Sequence, residues 1–534
     1  MSYVAVLLSL CVCASASVNN LRSAAVLPRV KGVDGRFFVD EFGRVMIFHG
    51  FNDVGEETKR VGPFDGYKYL PQNLISNETR LEILANEYGF NCFRIGAIWA
   101  ALQPEPNVTD TRYLDALQNA TRMMANHGVY SLMDMHQDAL STYQGWSDHD
   151  GAPTWVVNRT KPRHPYPWPS KGGDAAEAVA QAFQDIYKDT HGGRTAWAEA
   201  WKSFALALKD EKGVMGYELM NEPFAGDIYK DPLLLDPAHA GAENLQPAYD
   251  VVASAIREVD EKTVILYEPV TWGMIFDTKK YASFGSGFSH VPGGSKYANR
   301  SAYSYHYYCW LGRSSNGFHP AAPYPRLKKD ACQGRFGMGP KTFSSVDETM
   351  KLIGGASFLT EFGGVYFTPP VNAAENSTSV EETVWILETA DANLQSWSHW
   401  DLNYFMMPGQ DFEGFFGCTP AYPRGCIKEF IRPYAQATAG TPIDMKYDRS
   451  SKIFTFAMKP DSRIQAPTEI FLPPYCYPNG YEIAIEPVTA PFTWQTCPNY
   501  ANKLCLSTKP GASSLPSRLT ISVSPKSGPG SRYN

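Results

Sequence analysis

The sequence predicts a (β/α)8 TIM-type barrel followed by a small all-β domain of sandwich type. Three observations carry that expectation. Between about residues 30 and 432, eight short, nearly continuous apolar runs alternate with longer amphipathic stretches, the pattern of parallel strands buried on both faces. No Gly-x-Gly-x-x-Gly loop opens a helix after the first run, which weighs against an open dinucleotide-binding sheet. Beyond Pro433 the hydrophobic period changes to two.

The elements follow in order. Residues 1–16 pass from Met1 through the apolar stretch Val4–Val12 to Ala14-Ser15-Ala16, the h-region and small-residue cleavage site of a signal peptide, although no cationic residue precedes them. The barrel unit is expected over 30–432, with strands at Val45–Asn52, Asn91–Ala97, Val129–Met135, Val214–Asn221, Thr263–Glu268, Ala302–Tyr308, Ala356–Glu361 and Gln395–Asp401. Helical patterns lie between them at Arg80–Tyr88, Arg112–His127, Thr195–Leu208, Tyr249–Val259 and Val380–Asn393. In the second of these, Tyr113, Leu117, Ala120 and Met124 share one face. The sandwich is expected over 433–525, where Lys452-Ile453-Phe454-Thr455-Phe456 and Tyr481-Glu482-Ile483-Ala484-Ile485 alternate strictly, and residues 526–534 form a tail without predicted structure.

Composition narrows the function. The 534 residues carry 48 Lys+Arg against 55 Asp+Glu, a net charge of −7, with 19% charged and 13% aromatic residues. A chain this aromatic and this poor in charge is expected to fold, and with no basic surplus and no Lys/Arg cluster longer than that around Arg326, Lys328 and Lys329 a nucleic-acid partner is not expected. No later stretch reaches the 18 or more apolar residues of a membrane span. Six Asn-x-Ser/Thr sequons, at Asn77, Asn107, Asn119, Asn158, Asn299 and Asn376, agree with secretory passage. Of ten cysteines, Cys11 and Cys13 fall in the leader, leaving eight for an oxidising compartment. Cys309 with Cys332, and Cys418 with Cys426, are candidate loop closures; Cys92 reads as a buried thiol, and Cys476, Cys497 and Cys505 remain an odd set. No paired metal-ligand spacing occurs, so neither metal nor cofactor is expected.

In a barrel the chemistry sits where the strands end. The fourth run ends in Asn221-Glu222-Pro223 and the seventh in Glu361-Phe362-Gly363-Gly364, which sets two carboxylates at one mouth. Paired carboxylates are what glycoside hydrolysis requires. The third run ends in Asp134-Met135-His136-Gln137-Asp138, whose polar side chains alternate and so share a face if the strand continues. The loops that follow the strands hold Trp146, Trp155, Trp168, Trp272–Phe276 and Tyr404–Met407 with Phe412, Phe415 and Phe416. Indoles suit sugar stacking, and Met406, Met407 and Ile275 suit aliphatic chains; packing of the loops on one another is the alternative.

These residues carry a resemblance. Asn-Glu-Pro after the fourth strand, Glu-Phe-Gly after the seventh, Arg94 on the second, His306 and Tyr308 on the sixth and Trp400 on the eighth together resemble glycoside hydrolase family 5. Within it, Asp-Met-His-Gln-Asp, His49-Gly50-Phe51-Asn52 and the added β domain are similar to the endoglycoceramidases. The resemblance implies retaining hydrolysis of the β-glucosyl bond between oligosaccharide and ceramide in a glycosphingolipid. It makes Glu222 the acid/base, with its pKa raised by the neighbouring charge of Glu361, and Glu361 the nucleophile. Asn221 would hold the sugar 2-hydroxyl, and Tyr308 would orient Glu361. Asp134, His136 and Asp138 would bind the −1 sugar or buttress the pair, and Lys59 would touch substrate. Either Trp397 or Trp400 would be the sugar platform. A secreted location follows, with a membrane surface or lipid-presenting activator as partner. The competing functions are a family 5 β-glucanase acting on polysaccharide and a non-enzymatic glycolipid-binding or transfer protein.

Overall fold

The computed structural model describes residues 27–54, 70–75, 77–147, 150–169, 173–271, 285–308, 332–363, 373–402, 427–498, 500–512 and 514–527. Three short strands come first: β1 (Val30–Asp34), β2 (Phe37–Asp40) and β3 (Val45–Met46). Then follow β4 (His49–Asp53), β5 (Cys92–Gly96), β6 (Tyr130–Asp134), β7 (Val214–Glu218), β8 (Val264–Tyr267), β9 (Ser301–Tyr308), β10 (Ala356–Gly363) and β11 (Ser396–His399). These eight close into a parallel barrel, β11 returning to β4 with Trp397 opposite His49. Every residue of β4 to β8 is buried, because helices cover the outer face and side chains fill the inner one.

The covering helices form where the periodicity places them. Thr111–Asn126 buries Tyr113, Leu117, Ala120 and Met124, and Asp110 caps it by accepting from the backbone N–H of Arg112 (2.9 Å) and Tyr113 (3.3 Å). Gly193–Leu208 and Gln246–Arg257 likewise turn Trp197, Trp201, Tyr249 and Val252 inward.

Inside the barrel, polarity is graded along the axis. At the N-terminal ends of the strands Phe48, Tyr130, Leu132, Leu266 and Phe358 make an apolar floor, which Phe38 of β2 completes, its ring centroid 5.6 Å from that of Phe48. Polar side chains occupy the opposite half.

The C-terminal strands are β12 (Tyr434–Thr438), β13 (Gly440–Asp448), β14 (Ile453–Pro460), β15 (Thr468–Phe471), β16 (Tyr481–Glu486), β17 (Phe492–Thr496), β18 (Lys503–Thr508) and β19 (Leu519–Pro525). They form two antiparallel sheets whose facing side chains, Tyr434, Ile470 and Leu504 against Phe454, Phe456, Ile521 and Val523, share one core. The larger sheet runs β1-β2-β3-β12-β15-β18-β17. The first strands, assigned with the barrel on sequence grounds, thus belong to this sheet, with Met46 opposite Ala437. The run Val45–Asn52 accordingly splits between the two units.

Cys497 and Cys505 are disulfide-bonded, and Cys92 and Cys476 are buried thiols. Cys332 is disulfide-bonded, while Cys309, Cys418 and Cys426 lie outside the described residues. Asn77, Asn107, Asn119, Asn158 and Asn299 are all exposed. Among the described residues no helix is long and apolar enough to cross a membrane.

Candidate active site

Arg94, in the middle of β5 and fully buried, organises the polar half of the barrel. Its Nε lies 2.6 Å from Glu218 on β7 and one terminal nitrogen 2.6 Å from Glu361 on β10. The same nitrogen donates to Asn52 (3.0 Å); the other donates to Asn221 (2.9 Å) and lies 3.0 Å from Asp134 and 3.6 Å from Glu268. Burial opposes the guanidinium charge, but Asp134, Glu218, Glu361 and Glu268 outweigh it and hold the group protonated.

Glu361 reaches this ring through an irregularity in its strand. Leu359 pairs with Tyr305 and Glu361 with His306, so the β10 register shifts by one residue around Thr360. Strict alternation would send Thr360 and Glu361 to opposite faces. The bulge instead lets both point inward, Thr360 to Ser304 and Glu361 to Arg94. Tyr308 donates its phenolic proton to the other oxygen of Glu361 at 2.7 Å. A Cβ at Gly363 would come within 3.0 Å of the Tyr308 ring, so glycine there gives that ring its place.

Glu222 stands four residues beyond the end of β7 in the left-handed region, with φ of 38°. Gln137 holds it there, donating to the carbonyls of Asn221 (2.8 Å) and Glu222 (3.1 Å), and the backbone N–H of Glu222 donates to Glu268 (3.2 Å). Nδ1 of His306 is 2.8 Å from one Glu222 oxygen and 3.4 Å from Glu361. An oxygen of each glutamate and His306 all lie within 4.8 Å of one another.

The two carboxyls differ electrostatically. Burial first, then the nearby charge of Asp138, pushes Glu222 up to about 7 against the pull of His136 and Arg94. This corrects the expected cause: desolvation and Asp138, rather than Glu361, do most of the work. Burial also raises Glu361, opposed by Arg94, which is bonded directly to its charged form. Burial lowers His306 to about 4, so it is neutral at physiological pH.

Strand β6 ends at Asp134, so the expected period-two alternation does not extend to Asp138. The three polar groups converge even so. His136 Nδ1 is 2.6 Å from Asp134 and Nε2 3.8 Å from Asp138. Burial disfavours charge on His136, yet Asp134 and Asp138 overcome it and favour the imidazolium. Its ring lies 5.0 Å from that of Trp400, nearly parallel at 10°. The two tryptophan candidates separate here: Trp397 is fully buried, stacked on His49 at 4.5 Å, whereas Trp400 is part-exposed at the barrel mouth. Lys59, the 272–276 run and the 404–416 run lie outside the described residues. Of the loop aromatics, Trp146 is buried against Tyr143, while Trp168 is 43% exposed and stacks on His164 at 4.0 Å.

Sequence reasoning missed Glu218 and Glu268. Both sit inside the fourth and fifth strand runs, where a lone acid among apolar residues is the available signal: an unpaired buried carboxylate is so costly that it implies a partner.

Two adjacent carboxyls, one protonated up to neutrality and the other gripped by a guanidinium and a phenol, can open an acetal, and on this barrel they define a glycoside hydrolase. The family model for cellulase (glycosyl hydrolase family 5) matches residues 55–406, and that for the glycoside hydrolase family 5 C-terminal domain matches 432–523. The chain belongs to glycoside hydrolase family 5. It is 32% identical over 489 residues to an endoglycoceramidase of Cyanea nozakii, covering 86% of each chain. It is 30% identical over 473 residues to an endoglycoceramidase of Hydra vulgaris, covering 84% of this chain and 81% of that one. The fold matches that of endo-glycoceramidase II from Rhodococcus sp. with a TM-score of 0.67 at 22% identity, covering 92% of this chain and all of the other.

Proposed function

We propose that the protein is an exported, retaining endo-β-glucosidase that cleaves the bond between oligosaccharide and ceramide in glycosphingolipids. The approach of Glu222 and Glu361 within 4.8 Å carries the reaction class. A retaining pair stands about 5 to 5.5 Å apart, whereas an inverting pair needs about 6.5 to 9.5 Å to admit a water. The endoglycoceramidase relatives support the substrate class. The leader-like residues 1–16, the exposed sequons and the Cys497–Cys505 disulfide support export.

In the first step Glu361 attacks the anomeric carbon as the bond to the ceramide oxygen breaks, and Glu222 gives its proton to that oxygen. Ceramide leaves as the alcohol, and the sugar remains as an ester on Glu361. In the second step Glu222, now a carboxylate, takes a proton from water as the water oxygen displaces Glu361. Arg94 and Tyr308 keep Glu361 ionised and aimed. Asn221 is fixed by Arg94 and by its own donation to Gln137 (3.0 Å), in place to meet the sugar 2-hydroxyl. Asp138, half exposed beside His136, and the face of Trp400 receive the −1 ring. Lys59 would add a substrate contact, and a membrane or lipid-presenting activator would deliver the ceramide.

The test is incubation of the protein with a ganglioside and, separately, with a soluble β-glucan. Intact oligosaccharide and intact ceramide by mass from the first, in β configuration before mutarotation, are expected. Reducing ends from the glucan alone would assign the polysaccharide activity instead, and binding of ganglioside without turnover would make the protein a carrier.

A further inference from the structure

Glu268 follows β8 directly and is buried, contributing its carboxyl to the ring around Arg94. One of its oxygens is the meeting point of three groups: it accepts from the backbone N–H of Glu222 (3.2 Å), lies 3.3 Å from Nε2 of His306 and lies 3.6 Å from Arg94. His306 is thus strung between two carboxyls, Nε2 toward Glu268 and Nδ1 toward Glu222 at 2.8 Å.

We propose that Glu268 is a positioning residue: as a neutral carboxyl it donates to Nε2 of His306, fixes the Nδ1–H tautomer, and so aims a donor at one oxygen of Glu222 and leaves the other free to carry the catalytic proton. Charge counting requires a neutral acid here. Arg94 faces Asp134, Glu218, Glu268 and Glu361 within 4 Å, four carboxyls against one cation, and the next cation, His136, is engaged by Asp134. Arg94, Glu218, Glu222, Glu361 and His306, with the phenols of Tyr249 and Tyr303, are the titratable groups facing Glu268 among the described residues, and burial together with repulsion from Glu218 favours its protonated form. With Glu268 protonated, a second proton on His306 has no carboxylate at Nε2 to stabilise it. The ring stays neutral, and Glu222 keeps its proton until the leaving group takes it.

The inference rests on the assignment of Glu222 as acid/base but is tested apart from it. In wild-type protein labelled with 15N-histidine, with His306 assigned by its absence in His306→Gln, the nitrogen shifts should report a protonated Nδ1 and a bare Nε2; the reverse tautomer or an imidazolium overturns the proposal whatever the substrate proves to be. In kinetics, Glu268→Gln, whose amide nitrogen can donate to Nε2 but cannot accept from the Glu222 N–H, should leave the basic limb of the pH profile in place even where kcat/KM falls. Glu268→Ala should move that limb down by about one pH unit and slow glycosides with poor leaving groups at least tenfold more than aryl glycosides with good ones. Equal losses in both variants on both substrates, with the limb unmoved, would mean a merely structural carboxyl and overturn the proposal.

Discussion

Tyr308 gives its phenolic proton to Glu361 at 2.7 Å, on the oxygen opposite the one held by Arg94. A hydrogen bond to a charged partner contributes about 1.5 to 3 kcal/mol. Replacing Tyr308 by Phe should therefore lower kcat/KM by roughly 10- to 100-fold, with thermal stability nearly unchanged, as steady-state kinetics and a melting curve would show.

The two glutamates should separate by rescue chemistry. Glu222→Ala should cripple ceramide release but spare glycosylation from an aryl glycoside whose leaving group needs no proton, and azide should restore turnover as a β-glycosyl azide. Glu361→Gly should hydrolyse neither substrate, yet synthesise product from an α-glycosyl fluoride and a sphingoid acceptor. Azide rescue of the Glu361 variant with retained configuration would exchange the roles.

The raised Glu222 carboxyl sets the pH dependence. The proposed mechanism needs the acid form of Glu222, so kcat/KM should fall as pH rises through about 7, and on the acid side it should fall as Glu361, whose carboxyl burial also raises, takes up a proton. The same shift costs stability. The folded state binds this proton more tightly than the unfolded chain, so the benefit is complete below the unfolded value near 4.5 and is lost as pH rises to about 7. Glu222→Gln should thus raise Tm at pH 8 but not at pH 4, a comparison that differential scanning calorimetry makes directly.

Trp397 and Trp400, three residues apart, should behave as different kinds of residue. Trp397→Ala empties a fully buried site and should cost about 3 to 5 kcal/mol in denaturant unfolding. Trp400→Ala should leave that midpoint within about 1 kcal/mol and act on KM and kcat instead.

Arg94→Met should destabilise the fold by about 3 to 5 kcal/mol, since it strands several buried carboxyls, and the loss should shrink at low pH where those carboxyls are protonated. Unfolding curves at two pH values check both statements.

The barrel was legible in the sequence because parallel strands buried on both faces leave unbroken apolar runs, and β4 to β11 each fall within or beside one of them. The carboxyl pair was legible for a related reason: Asn221-Glu222-Pro223 and Glu361-Phe362-Gly363 interrupt such runs with charge. What a run cannot display is parity. The bulge at Thr360, which turns Glu361 inward, has no compositional mark, and neither has the end of β6 at Asp134, after which the chain, no longer a strand, still gathers His136 and Asp138. Pairing between distant strands is equally silent locally. Val30–Met46 reads as ordinary amphipathic strand, and nothing in it announces a partner at Tyr434–Thr438.

That partnership has a consequence for biosynthesis. The strands β1 to β3 leave the ribosome first, yet the edge to which β3 binds is made only when β12 emerges, after the entire barrel. Until then the nascent chain carries an unpaired strand edge, and Phe38 reaches the barrel floor from a hairpin still lacking its sheet. A premature stop near residue 433 would therefore not release a working catalytic half that merely lacks an appendage. It would release a chain with a persistent sticky edge, fit for chaperone binding and degradation.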